Sequence, residues 1–102
     1  MLAEFSIIPI GSGESMGEEI AKILDMVDKS GLDYKSNPMG TVVEGECEEV
    51  MELIKKCHCE ILGASPRVIT TISIDDRPSK PMDRITAKIK SVEERLGREV
   101  KK

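Results

Sequence analysis

Three clusters in this 102-residue chain hold side chains whose types and spacing could do chemistry. Asp75, Asp76 and Arg77 close the run RVITTISIDDR, and paired carboxylates can serve proton transfer or metal binding. Neighbours at a strand end point to opposite sides, so a turn cap or an ion pair between subunits fits the trio better. Cys57-His58-Cys59, with Cys47 upstream, offers the thiolate and imidazole ligands that zinc takes. Residues two apart on a helix project about 200° from each other, so Cys57 and Cys59 do not converge on one ion and no metal site is expected. Cys57 instead falls on an apolar stripe as a small hydrophobe. His58 belongs to no convincing motif with a Ser or Cys nucleophile and is expected on a helix surface. Gly11-Ser12-Gly13 precedes a helix as phosphate loops do, yet the Lys-Ser/Thr of a P-loop and the dinucleotide fingerprint are both missing.

The elements that must position these groups read as follows. Leu2 to Ile10 alternates Ala3, Phe5 and Ile7 against Glu4, Ser6 and Ile8, which predicts a first strand with Pro9 near its end. Ser15 and Glu18 have capping-box spacing, and Ile20, Ile23, Leu24 and Val27 continue as a helix until Ser30-Gly31. Asp33 to Ser36 and Thr41 to Glu44 are short strands around the turn Asn37-Pro38-Met39-Gly40. A second helix starts at Cys47, places Val50, Leu53, Ile54, Cys57 and Ile61 on one stripe, and stops at Gly63. In the last strand Val68, Thr70, Ile72 and Ile74 share one face, while Arg67, Ile69, Thr71, Ser73 and Asp75 share the other. That second face mixes hydroxyls, charge and a large aliphatic, so it is expected to be covered by a ligand, another subunit, or both. Ser79-Lys80-Pro81 breaks the chain before a third helix carrying Ile85, Ile89, Val92 and Leu96.

The order β-α-β-β-α-β plus a helix predicts an α+β, ferredoxin-like sandwich: a four-stranded antiparallel sheet with two helices on one face and the other face open. Residues 1–97 are expected to form one domain, with 98–102 a basic tail. Apolar residues make up 39% and charged residues 33% of the chain, enough apolar surface for a core. A domain this small buries only about two-thirds of its unfolded surface, so association would help it. The net charge of −4 and pI near 5.1 argue against nucleic acid, whose phosphates need clustered Lys and Arg, and favour a cationic or neutral small molecule. No apolar run reaches membrane-spanning length, so no membrane association is expected. Glu4 interrupts the N-terminal apolar run and no basic leader precedes it; with an odd number of cysteines, three, this predicts a cytoplasmic protein with reduced thiols.

Three segments in order, EFSIIPIG (Glu4 to Gly11), PMGTVVEGE (Pro38 to Glu46) and RVITTISIDDR, resemble the small thiamine-binding protein family, many of whose members are uncharacterised. The resemblance spans nearly the whole chain. It implies a ferredoxin-like subunit that pairs through its sheets into dimers and tetramers, and binding of thiamine or its hydroxymethylpyrimidine part without catalysis or a cofactor. The matching motif positions are Ser6, Pro9, Gly11, Gly40, Thr41, Glu44, Thr71 and Asp75.

Holding thiamine requires partners for an aminopyrimidine edge and a flat surface for its ring. Glu44, Thr41, Ser6 and Thr71 offer the polar groups. Phe5 and Tyr34 are the only aromatics, so Tyr34, Ile8, Met39 or peptide planes must supply the surface. Thr41 and Glu44 read equally well as a β-forming residue and a carboxylate at a helix N-terminus, and hairpin parity alone does not say which face each takes. Gly40 and Gly45 fit turn and strand-end positions. Two other classes of function compete. One is an oligomerisation or regulatory module in which Ser6, Thr71 and Ser73 line a subunit interface. The other is a small enzyme using Asp75, Asp76 and His58, although the topology puts His58 away from the open face.

Overall fold

Alternation of apolar and polar residues builds the sheet, and a 3.6-residue apolar period builds the helices that roof it. The computed structural model describes residues 1–11, 17–79 and 84–101; the Ser15 capping box, most of the Gly11-Ser12-Gly13 loop and the Lys80-Pro81 break lie outside them. Along the chain run β1 (Leu2–Ile10), α1 (Gly17–Lys29), β2 (Asp33–Asn37), β3 (Gly40–Glu44), α2 (Cys47–Leu62), β4 (Arg67–Asp75) and α3 (Arg84–Leu96). The strands pair antiparallel in the order β2-β3-β1-β4, the expected ferredoxin-like arrangement. None of the described helices is long and apolar enough to cross a membrane.

Residues directly opposite in an antiparallel ladder share a face, so the register sorts every strand side chain. Ala3, Phe5 and Ile7 of β1 lie beside Ile74, Ile72 and Thr70 of β4, and Val43 and Thr41 of β3 flank Ala3 and Phe5. This face meets Ile23 and Val27 of α1 and the stripe Val50, Leu53, Ile54, Cys57 and Ile61 of α2 to form the core. Parity in the hairpin is thereby decided: Thr41 and Val43 face the helices, Val42 and Glu44 the opposite side.

Two expectations change. The apolar face of β4 is buried only at its start: Val68 and Thr70 are half-buried, whereas Ile72 and Ile74 are 37% and 48% exposed. β4 is an edge strand, and α2, which packs on β1 and β4, covers only its first half. The second face is also not wholly open, because α3 packs against β2 and β3 there. Glu44, projecting from that face and 2% exposed, takes the backbone N–H of Arg84 at 2.8 Å and of Ile85 at 3.4 Å on Oε1. A carboxylate from a distant strand thus caps the first turn of α3 and complements its dipole. Past Ile85 the stripe of α3 emerges into solvent at Ile89, Val92 and Leu96. After α3, Gly97 takes φ +71° and the N–H groups of Gly97 and Arg98 both reach the Glu93 carbonyl.

Candidate functional site

The sheet has a step. β1 pairs with β4 along its full length, but with β3 only from Leu2 to Phe5, because β3 begins at Gly40 after the two-residue turn Pro38-Met39. Ser6 to Ile10 therefore run on past the hairpin. Gly40 makes this step close-fitting: a Cβ there would stand 2.7 Å from the Phe5 carbonyl oxygen, so only glycine lets the turn approach β1.

Beside the step lies a cavity of about 320 Å³, within the range of small-molecule sites. Ile20, Ile23 and Leu24 of α1 wall one side, and the β2-β3 turn walls another. Phe5, Ser6, Ile7 and Ile8 of β1 form its base, with Ser36, Asn37 and Thr41 as the other polar groups. Asn37 is held from both ends of its amide. Its Oδ1 accepts the Met39 N–H at 2.8 Å and its Nδ2 donates to Glu4 at 3.3 Å, which brings a carboxylate to the rim. Among the described residues no Asp, Glu, His, Cys or Lys lines the cavity.

Of the residues singled out in the sequence, the structure brings Ser6, Ile8, Met39, Gly40 and Thr41 together here. It places the others elsewhere. Tyr34 donates to Asp28 Oδ1 at 2.8 Å, and this bond holds its phenol above the ordinary tyrosine value. Thr71 is the cross-strand neighbour of Ser6 on the far face of the sheet, exposed. Glu44 caps α3. Pro9 pairs with Val68 late in β1, and Gly11 takes φ +90° with a would-be Cβ 2.8 Å from the Pro66 ring.

Asp75 forms an ion pair with the Arg84 guanidinium and lies 2.9 Å from Lys88 Nζ. These two cations, Lys88 first, hold its carboxyl below the usual aspartate value. The pairing is within the chain, fastening α3, where a turn cap or an intersubunit pair was expected; Asp76 lies 3.9 Å from the Met1 amino group. Cys57 is buried in the core, and desolvation pushes its thiol up to about 11, while Cys47 and Cys59 are exposed. His58 is half-buried on α2, its Nδ1 2.6 Å from Thr70 Oγ1, where a surface position was expected.

Reading the sequence missed Ile20, Leu24, Ser36 and Asn37 as cavity residues. Ile20 and Leu24 read as core because they belong to the helical stripe, yet Ile20 is 49% exposed, since the sheet beneath that end of α1 has lost β3. Asn37 read as a turn residue, which it also is. A nine-residue strand, Leu2 to Ile10, beside a hairpin read with four-residue arms was the available signal that one strand outruns the other.

Comparison with known proteins bears on what this arrangement is. Residues 3–93 match the family described as thiamine-binding protein. The UPF0045 protein MJ1052 of Methanocaldococcus jannaschii is 35% identical over 92% of this chain and 93% of its own, and its crystal structure superposes with a TM-score of 0.83 over 91% and 95% of the two chains. The UPF0045 protein YqgV of Bacillus subtilis is 34% identical over 93% of this chain and 96% of its own. A Thermotoga maritima structure, of a protein provisionally described as acting in thiamine biosynthesis or salvage, shares the fold at 21% identity, with a TM-score of 0.73 over 85% and 94% of the chains. With a match over nearly its full length and the strand order, helices and terminal helix in place, the chain belongs to the thiamine-binding protein family.

Proposed function

We propose that this protein binds thiamine, or its hydroxymethylpyrimidine part, without chemical turnover, in the cavity between the end of the β2-β3 hairpin, β1 and α1. One observation carries the reading: in a member of the thiamine-binding family, the cavity combines aliphatic walls for a flat ring with a few hydroxyl and amide groups for its edge. Glu4 at the rim places negative charge where a thiazolium cation would emerge. Binding without turnover follows the family's description as a thiamine-binding protein. The Thermotoga protein's provisional link to thiamine biosynthesis or salvage points the same way.

The protein works as a homo-oligomer, in this reading a tetramer built from dimers. Ile8 and Ile69 form an exposed cross-strand pair on the face opposite α1 and α2, and α3 presents Ile89, Val92 and Leu96. The radius of gyration, 15.1 Å, exceeds the roughly 13 Å of a compact chain of this length. A protruding apolar helix and an exposed aliphatic pair are surfaces that a second copy would cover.

Calorimetric titration with thiamine, its phosphates and hydroxymethylpyrimidine tests the reading. Binding without change of the ligand by mass spectrometry is expected. Thr41→Val should weaken it by about two- to tenfold, the worth of one recognition hydrogen bond. Failure of the parent to bind any of these ligands would reject it in favour of an oligomerisation module.

A further inference from the structure

The geometry points to the main chain of Ile7 as the group that reads the ligand's edge: its N–H and C=O present a donor and an acceptor to a planar heteroaromatic ring bearing an acceptor nitrogen beside an amino donor. This rests on the proposed cavity and deepens it from a place to a recognition chemistry. Its basis is the hydrogen-bond phase of the step.

Met1 and Gly45 exchange both of their main-chain bonds, at 2.9 and 3.1 Å. In an antiparallel ladder such exchanging pairs recur every second residue. Ala3 with Val43 and Phe5 with Thr41 are therefore the next two, and the odd residues of β1 all turn their N–H and C=O toward β3. The following rung would join Ile7 to Met39. It does not form in the register, because the chain is turning there, and the Met39 N–H is already spent on Asn37 Oδ1 at 2.8 Å. Pro38 has no N–H to offer in its place.

Ile7 is 7% exposed and lines the cavity, so its edge-facing donor and acceptor border the cavity without a β3 partner among the described residues. Buried main-chain groups in native proteins nearly always have partners, which marks this pair as awaiting one. The next odd position is Pro9, which lacks a donor; the free edge thus offers one complete donor-acceptor pair. A peptide strand adding to β1 would need successive rungs. A single ring with adjacent acceptor and donor needs one. The aminopyrimidine of thiamine carries that pattern, its ring nitrogen taking the Ile7 N–H and its amino group donating to the Ile7 carbonyl.

Because odd residues make no main-chain bonds to β4, Ile7→Pro removes the recognition donor and no ladder bond, and Ile7→Ala controls for the lost side chain. Binding of thiamine and of hydroxymethylpyrimidine is measured by calorimetry for the parent and both variants, with thermal unfolding to verify folding. Oxythiamine, in which a carbonyl replaces the amino group and the ring nitrogen carries hydrogen, sets donor against donor and acceptor against acceptor. The proposal expects Ile7→Pro to bind about three- to tenfold more weakly than Ile7→Ala, and oxythiamine to bind the parent roughly thirtyfold or more weakly than thiamine. It also expects the parent's Ile7 amide proton to move downfield on titration with hydroxymethylpyrimidine, a readout that does not depend on any variant folding. Thiamine bound by the parent with no shift of that amide, or with oxythiamine bound equally well, would overturn main-chain recognition and leave the cavity reading standing. No binding of thiamine or hydroxymethylpyrimidine by the parent would overturn both.

Discussion

Replacing Glu44 by alanine should loosen α3 while leaving the sheet and the cavity intact. The carboxylate is 2% exposed and its Oε1 accepts the first two N–H groups of α3; Oε2 has no partner among the described residues. Losing a helix cap costs about 0.5–2 kcal/mol, and a hydrogen bond to a charged group is worth about 1.5–3 kcal/mol. The two ranges describe the same bonds, so they do not add, and they overlap at about 2 kcal/mol. For a domain of this size that lowers the melting temperature by about 8–16 °C. Glu44→Gln keeps the shape and an acceptor oxygen but gives up the charge at the helix N-terminus, worth about 0.3–1 kcal/mol, so it should lose about half as much or less. Circular dichroism melts give the order parent, Gln, Ala. Hydrogen exchange locates the effect: the Arg84 and Ile85 amides should lose protection in the alanine variant, while Phe5 and Val43 keep theirs relative to global stability. An alanine variant that melts within about 1 °C of the parent with α3 amides still protected would refute the cap.

Three further outcomes follow from the same structure. Asp75 has a folded-state pKa below its unfolded value, so its ion pairs stabilise the fold fully above the unfolded value, near 3.9, and lose this as pH falls through the lower folded one. Acid titration of α3 exchange protection should therefore show a decline beginning below about pH 4 that Asp75→Asn abolishes; a profile identical in the variant would reject it. Cys57, raised to about 11, should resist alkylation at pH 8 while exposed Cys47 and Cys59 react, with peptide mass spectrometry as the readout. The same shift makes its contribution complete below the free-thiol value and lost as pH climbs toward 11. Ile69→Lys should convert the proposed oligomer to a smaller species by light scattering at micromolar concentration, since the charge would be buried without a partner; an unchanged mass would remove this face from the interface.

Much of the architecture was legible because it rests on local periodicity. Alternation in Leu2 to Ile10 and Arg67 to Asp75, and the stripes Ile23-Val27 and Val50-Leu53-Ile54-Cys57-Ile61, are properties of neighbouring residues, and they located every strand and helix to within one or two positions. Turn chemistry at Asn37-Pro38-Met39-Gly40 set the hairpin, and the order of elements then left few topologies. Five of the nine named ligand residues, Ser6, Ile8, Met39, Gly40 and Thr41, fall together because that hairpin lies against β1.

Tertiary structure alone decided the rest, since it depends on contacts between residues far apart in the chain. Thr41 and Glu44 are three apart in one strand and so take opposite faces; which face is which depended on where α1 and α2 settle. Glu44 was a ligand candidate on the sequence, but its partners lie 40 and 41 residues away at the start of α3. Asp75 likewise found its cations on α3 rather than on another subunit. The cavity exists because β1 outruns β3 by five residues, Ser6 to Ile10, on one side while β4 pairs with it throughout. Strand lengths could be read along the chain, but the relative register that turns unequal lengths into an unpaired edge is fixed only when the strands meet.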